Sequence, residues 1–130
     1  MFTTPQVNVF ATDVDRSARF YRRFGFIETF RTPMSGTPAH VELVLDGLKL
    51  GIGSAEAARD VHGLEVEPGA RAMSVCLWTD DVASSYDSLV AAGAPSLTPP
   101  HDLAGADLRV ARIADPDGNI VELVQHLPHR

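Results

Sequence analysis

One pattern is written twice along this chain, and it constrains the fold more than any single motif. Thr12-Asp13 and Thr79-Asp80 each precede a run with helical spacing, and Gly25 and Gly93 end those runs. Asp46-Gly47 and Asp117-Gly118 each sit between two strand-like runs. The offsets are 67, 68 and 71 residues. A shared period of this length means one supersecondary unit used twice. Within the period the order reads strand, helix, then three strands.

The first copy opens on Gln6–Ala11, where alternation puts Val7 and Val9 on one face and Gln6, Asn8 and Phe10 on the other. Asp13 or Asp15 caps a helix to about Phe24, with Val14, Ala18, Tyr21 and Phe24 as its apolar stripe and Gly25 as its stop. Arg16, Arg19, Arg22 and Arg23 read as its solvated face. Phe26–Arg31 is a second strand and Thr32–Pro38 a loop. His40–Leu45 and Leu48–Ile52 flank Asp46-Gly47, a strong hairpin signal. Ser54 caps a short helix through Val61, with Gly63 beyond it.

The second copy begins with the strand Met73–Trp78, followed by a helix capped by Asp80 or Asp81 and striped by Val82, Tyr86, Leu89 and Val90. A short segment at Ser96-Leu97 leads into a loop through Pro99-Pro100. The last hairpin, Leu108–Ile113 with Ile120–Val124, closes on Asp115-Pro116-Asp117-Gly118. That turn has a mechanism: proline presets φ, aspartate bonds nearby backbone, and glycine accepts a positive φ.

At 130 residues the chain suffices for one domain, with module one at about 1–63 and module two at about 70–130. A net charge of −6 disfavours nucleic acid and anionic membrane as partners. No apolar run approaches the roughly 18–20 residues that span a bilayer. Cys76 is the single cysteine, which excludes an internal disulfide framework. The first residues lack a basic segment followed by an apolar run, so the expected location is cytoplasmic.

The segments Val9-Phe10-Ala11-Thr12-Asp13, Ser17-Ala18-Arg19-Phe20-Tyr21, Gly25-Phe26 and Asp115 to Leu123, joined by Asp46-Gly47 and Asp80, resemble the vicinal oxygen chelate superfamily. Its members include glyoxalase I, bleomycin-resistance proteins, fosfomycin-resistance enzymes and extradiol dioxygenases. The resemblance implies an α+β fold: two βαβββ modules forming a cupped eight-stranded mixed sheet, helices outside and a ligand cavity inside, usually as a homodimer. In metal-using members one ligand comes from each of four strands, the first and third of each module.

Carried onto this chain, those ligand positions fall on Gln6, Glu42, Ser74 and Glu122. Gln and Glu are compatible with a glyoxalase-like metal, whereas Ser74 stands where the family's metal enzymes have histidine. Zinc and nickel favour imidazole or thiolate, and non-haem iron dioxygenases use two histidines and a carboxylate. The resemblance therefore favours no cofactor; if a divalent metal does bind, its ligands are Gln6, Glu42 and Glu122. His40 shares the Glu42 face and can substitute; His62, His101, His126 and His129 read as surface or tail residues. Inward-facing carboxylates need an arginine, Arg31, Arg71 or Arg109, or else they titrate upward.

Strand alternation proposes the lining of a ligand pocket: Gln6, Asn8 and Phe10; His40 and Glu42; Ser74, Cys76 and Trp78; Ile120 and Glu122. Core packing is the competing account of Phe10 and Trp78, and inert burial that of Cys76. Thr98–Gly105 is either a cover over the pocket mouth or a simple turn. The favoured function is binding of a small organic ligand without a complete metal site. The alternative is a metal-dependent lyase or isomerase resembling glyoxalase I, with Glu122 as ligand and catalytic base. A dimeric scaffold with a filled cup is the third reading.

Overall fold

The computed structural model describes residues 1, 3–69, 73–103 and 106–128. Its elements run β1 (Gln6–Ala11), α1 (Val14–Arg22), β2 (Ile27–Thr32), β3 (His40–Leu45), β4 (Leu48–Ser54), α2 (Ala55–His62), β5 (Ser74–Trp78), α3 (Val82–Ala91), β6 (Ser96–Leu103), β7 (Leu108–Ala114) and β8 (Ile120–His126). They form two compact units, Met1–Ala70 and Arg71–Arg130. Each holds a four-stranded mixed sheet, in the order β1-β4-β3-β2 in the first and β5-β8-β7-β6 in the second. In both, the first and fourth strands pair in parallel and the rest antiparallel. The βαβββ unit read from the sequence is thus present twice, with one topology.

Local chemistry accounts for the boundaries. Asp13 caps α1 by accepting from the Arg16 backbone N–H at 3.1 Å, and Asp81 caps α3 through the Ser84 N–H at 3.0 Å. These caps lie 68 residues apart, the same offset as Gly25 and Gly93, so the Thr79-Asp80 pair stands one residue early in the repeat. Helix α1 ends at Arg22, where a tight turn bonding Phe24 and Gly25 N–H to Tyr21 and Arg22 carbonyls takes over. Asp46 and Gly47 both take positive φ, +48° and +87°, as a two-residue turn matched to strand twist requires.

The last turn is held by one side chain. Asp115 is only 2% exposed. Its Oδ1 accepts from the Asp117 and Asn119 backbone N–H groups at 2.9 and 2.8 Å, and its Oδ2 from the Asn119 carboxamide at 2.8 Å. Burying a carboxylate here is tolerable because three donors replace its water.

The cores follow the same logic in each unit. Val14, Ala18, Phe20 and Tyr21 of α1 are buried with Val41, Leu43, Leu50 and Ile52 of its sheet. In the second unit Val82 and Leu89 of α3 are buried with Ala111, Ile113, Val121 and Leu123. Each fully buried large aliphatic side chain contributes roughly 1.5–3 kcal/mol. Phe20 joins the stripe because it packs edge-on to Tyr21, with ring centroids 5.1 Å apart.

The expected loop through Pro99-Pro100 is a strand instead. β6 runs through both prolines to Leu103. Among the described residues it pairs with β7 alone, at the edge of its sheet, and its register slips between Ser96 and Thr98 and again before His101. At an edge with such bulges, proline's missing N–H breaks no ladder bond. The Thr98–Gly105 segment is therefore mostly strand, and its last two residues lie outside the described residues.

Candidate functional site

In the first unit β4 lies between β1 and β3, and register brings one face together. Gln6 stands opposite Lys49, Asn8 and Glu42 opposite Gly51, and Phe10 and His40 opposite Gly53. Apolar Val41, Leu43, Leu50 and Ile52 take the other face. On the polar face Gln6 Nε2 donates to Asn8 Oδ1 at 2.7 Å, and His40 Nε2 donates to Glu42 Oε2 at 3.1 Å. Lys49 Nζ lies 3.7 Å from Glu42 Oε1. The hydrogen bond from His40 holds the Glu42 carboxyl below its ordinary value, against partial burial and with help from Lys49 and Gln6.

Two glycines floor this cradle. A Cβ at residue 51 would collide with the Asn8 carboxamide and come within 2.8 Å of Gln6 Nε2 and 3.0 Å of His40 Cε1. At residue 53 it would touch the Phe10 ring at 3.5 Å. Phe30 reaches the same side from β2, its ring 6.4 Å from that of His40. Side chains at 51 and 53 would fill the space that the polar groups now border.

The second unit carries the other predicted residues. Ser74 pairs with Ile120, Cys76 with Glu122 and Trp78 with Val124. Arg112 lies directly opposite Glu122, and its Nη2 donates to Glu122 Oε1 at 2.9 Å. Trp78 is 56% exposed and stacks on His126, with centroids 4.3 Å apart and rings inclined by 23°. A shallow cleft of about 420 Å³ is lined by Trp78, Thr79, Asp80, Gln125 and His126.

Several expectations change on this geometry. Glu122 pairs with Arg112, not with Arg31 or Arg109. Arg31 is taken by Asp15 and Glu28 at 2.7 and 2.8 Å, and Arg109 by Asp102 at 2.7 Å; Arg71 lies outside the described residues. Cys76 is exposed, not buried, although desolvation and then the Glu122 charge push its thiol up. Trp78 is no core residue, and Phe10 is only half-buried. His62, His101 and His126 are exposed, as surface histidines are, and His126 in addition stacks on Trp78; His129 lies outside the described residues.

The repeat also corrects the pairing of Glu42 with Glu122. Glu42 lies on the third strand of its unit and Glu122 on the fourth of its own. Asn8 pairs with Gly51 as Cys76 pairs with Glu122, and Glu42 faces Gly51 as Arg112 faces Glu122. The counterpart of Glu122 is therefore Gly51, and that of Glu42 is Arg112. Among the described residues, no three His, Cys, Asp or Glu side chains converge as a metal-holding group.

Lys49, Gly51, Gly53 and Arg112 escape the sequence reading as site residues, and Asp80 is read there only as a candidate helix cap and a mark of the resemblance. Alternation along Leu48–Ser54 already places Lys49, Gly51 and Gly53 on one face. Counting outward from the five-residue connection Asp115–Asn119 sets Arg112 against Glu122.

A duplicated βαβββ chain whose first sheet presents a polar cradle belongs to a class that holds ligands against its strands. Residues 3–123 match the Glyoxalase/Bleomycin resistance protein/Dioxygenase superfamily, and the chain belongs to that superfamily. No curated protein matches it. Among solved structures, TioX from Micromonospora sp. ML1 is 27% identical with a TM-score of 0.75, over 97% of this chain and 100% of its own. A glyoxalase-related enzyme from Fulvimarina pelagi is 26% identical with a TM-score of 0.76, over 97% and 89%. A family enzyme from Burkholderia phytofirmans PsJN reaches 0.82 at 22% identity, over 97% and 100%, a likeness of fold alone. No helix among the described residues is long and apolar enough to cross a membrane.

Proposed function

We propose that the protein binds small organic ligands without a metal, the candidate contacts being Gln6, Asn8, Phe10, His40 and Glu42 on the sheet of the first unit and, taken by themselves, Ser74, Cys76, Trp78, Ile120 and Glu122 on the sheet of the second. The observation that carries this reading is that both carboxylates already hold cations within their own sheets. Glu42 is bound by His40 and Lys49, and Glu122 by Arg112. A metal would have to displace those partners and strand Arg112 and Lys49 beside a second positive charge. Ser74 supplies a hydroxyl where a soft metal would favour imidazole, and the repeat offers Gly51, with no side chain, as the counterpart of Glu122. These residues do not fit a transition-metal centre.

What they fit is an organic molecule: the exposed Trp78 indole and the half-buried Phe10 ring for its apolar part, and carboxamides, a hydroxyl and paired charges for its polar groups. Assembly as a homodimer belongs to the same proposal. Elemental analysis after incubation with zinc and nickel, then desalting, tests it. The expected result is metal well below one equivalent per chain. A full equivalent, lost in Glu42→Ala and in Glu122→Ala, would overturn the proposal in favour of a metal-dependent lyase or isomerase.

A further inference from the structure

The cleft at the end of β5 has a chemistry that the polar cradle lacks. Its wall is the Trp78–His126 stack, an indole left 56% exposed beside an imidazole. Water-exposed indole is costly, and its π face attracts rings and cations. Next to it stands Asp80, an exposed carboxylate that enters no ion pair or hydrogen bond among the described residues. The capping duty at the adjacent helix belongs to Asp81, so Asp80 is not needed there.

The remaining walls are held in place. Gln125 Oε1 accepts from the Val82 backbone N–H at 2.9 Å, bolting β8 to the start of α3. The Thr79 N–H donates to the Val124 carbonyl at 2.8 Å, and the Thr79 hydroxyl contacts Ser85 Oγ at 3.2 Å. Asp80 thus projects from a pinned turn, and a ligand meeting it need not order a loop. The cleft's volume of about 420 Å³ lies in the range of small-molecule sites.

We propose that this cleft binds the amine-bearing or cationic aromatic part of a small ligand, with the Trp78–His126 pair taking the ring and Asp80 the charge. The proposal rests on the reading of the protein as a binder of organic molecules and adds the charge class of the ligand. A cation between an indole face and an unpaired carboxylate satisfies both. A neutral ring gains only the stacking, and an anionic one meets Asp80 unfavourably.

Trp78 is the only tryptophan in the chain, so intrinsic indole fluorescence reports on this cleft directly. Benzyltrimethylammonium and benzyl alcohol serve as cationic and neutral probes, titrated into the full chain and into Asp80→Asn. The cation is expected to perturb Trp78 fluorescence saturably and to bind more tightly than the neutral ring. Asp80→Asn should weaken the cation about five- to tenfold, the size of one partly exposed charge contact, and leave benzyl alcohol unchanged. An unchanged thermal melting midpoint shows that the variant is folded. Equal affinity for both probes, or no loss in Asp80→Asn, would overturn the charge assignment while leaving organic-ligand binding standing. If neither probe alters Trp78 fluorescence, the cleft is not a site. The metal measurement decides the broader reading independently.

Discussion

Glu42 shows how a single residue is read differently once its neighbours are known. In the sequence it is an acid inside an apolar strand, which invites a ligand or base role. In the fold it accepts from His40, lies near Lys49, and has its carboxyl held below the ordinary value chiefly by the His40 bond. A carboxyl lowered in the folded state contributes stability that is complete above its unfolded pKa and is lost as pH falls through the lowered folded one. Glu42→Gln is therefore expected to melt below the parent at neutral pH, by about 1 kcal/mol or less for a pair this accessible. The gap should close in acid, below about pH 4, where the parent carboxyl is protonated too. Melting midpoints of both proteins between neutral pH and pH 3 check this; a gap that persists undiminished in acid would mean that Glu42 acts through packing. The same scale explains what stayed hidden. Alternation shows that Glu42 and His40 share a face, but not that Lys49 completes the group, because that depends on how β4 registers against β3.

At the level of elements, legibility followed the strength of the local signal. Both glycine-containing hairpin turns and three helix starts were readable, because Asp, Ser and Gly do specific backbone work at fixed positions. β6 was not, since prolines normally mark loops and only an edge position with slipped register accommodates them. The β7–β8 turn is the element whose sequence signal says most. Its motif predicts a turn, and the structure adds that Asp115 is buried and accepts three hydrogen bonds. Removing the carboxylate leaves two backbone N–H groups without their acceptor in a partly buried site. Asp115→Ala is expected to lose about 2–4 kcal/mol of unfolding free energy, and Asp115→Asn less, since one amide oxygen still accepts. Urea titration monitored by circular dichroism measures both. A loss in Asp115→Ala below half a kcal/mol, the size of an ordinary surface change, would show that the turn holds without its side chain.

Across the molecule the duplication does most to organise interpretation, and it was legible because capping and turn residues recur at nearly one period. What the period concealed was the one-residue mismatch of Thr79-Asp80, and with it the true counterparts of the site residues. The polar faces have diverged: Gly51 answers Glu122, and Glu42 answers Arg112. The apolar faces have not. Ile52 on β4 and Leu123 on β8 occupy the same rung of their sheets, paired with Val9 and Leu77 on the parallel neighbour, and are 0% and 2% exposed. If the repeat is a repeat of packing as well as of chain path, truncating either position opens a comparable cavity. Ile52→Ala and Leu123→Ala are expected each to cost about 2–4 kcal/mol, within about 1 kcal/mol of one another. Equilibrium urea unfolding of the two variants against the parent measures the difference. A variant that loses less than 1 kcal/mol while its counterpart loses the full amount would show that only one sheet retains the ancestral core, and that the second survives by its turns and caps.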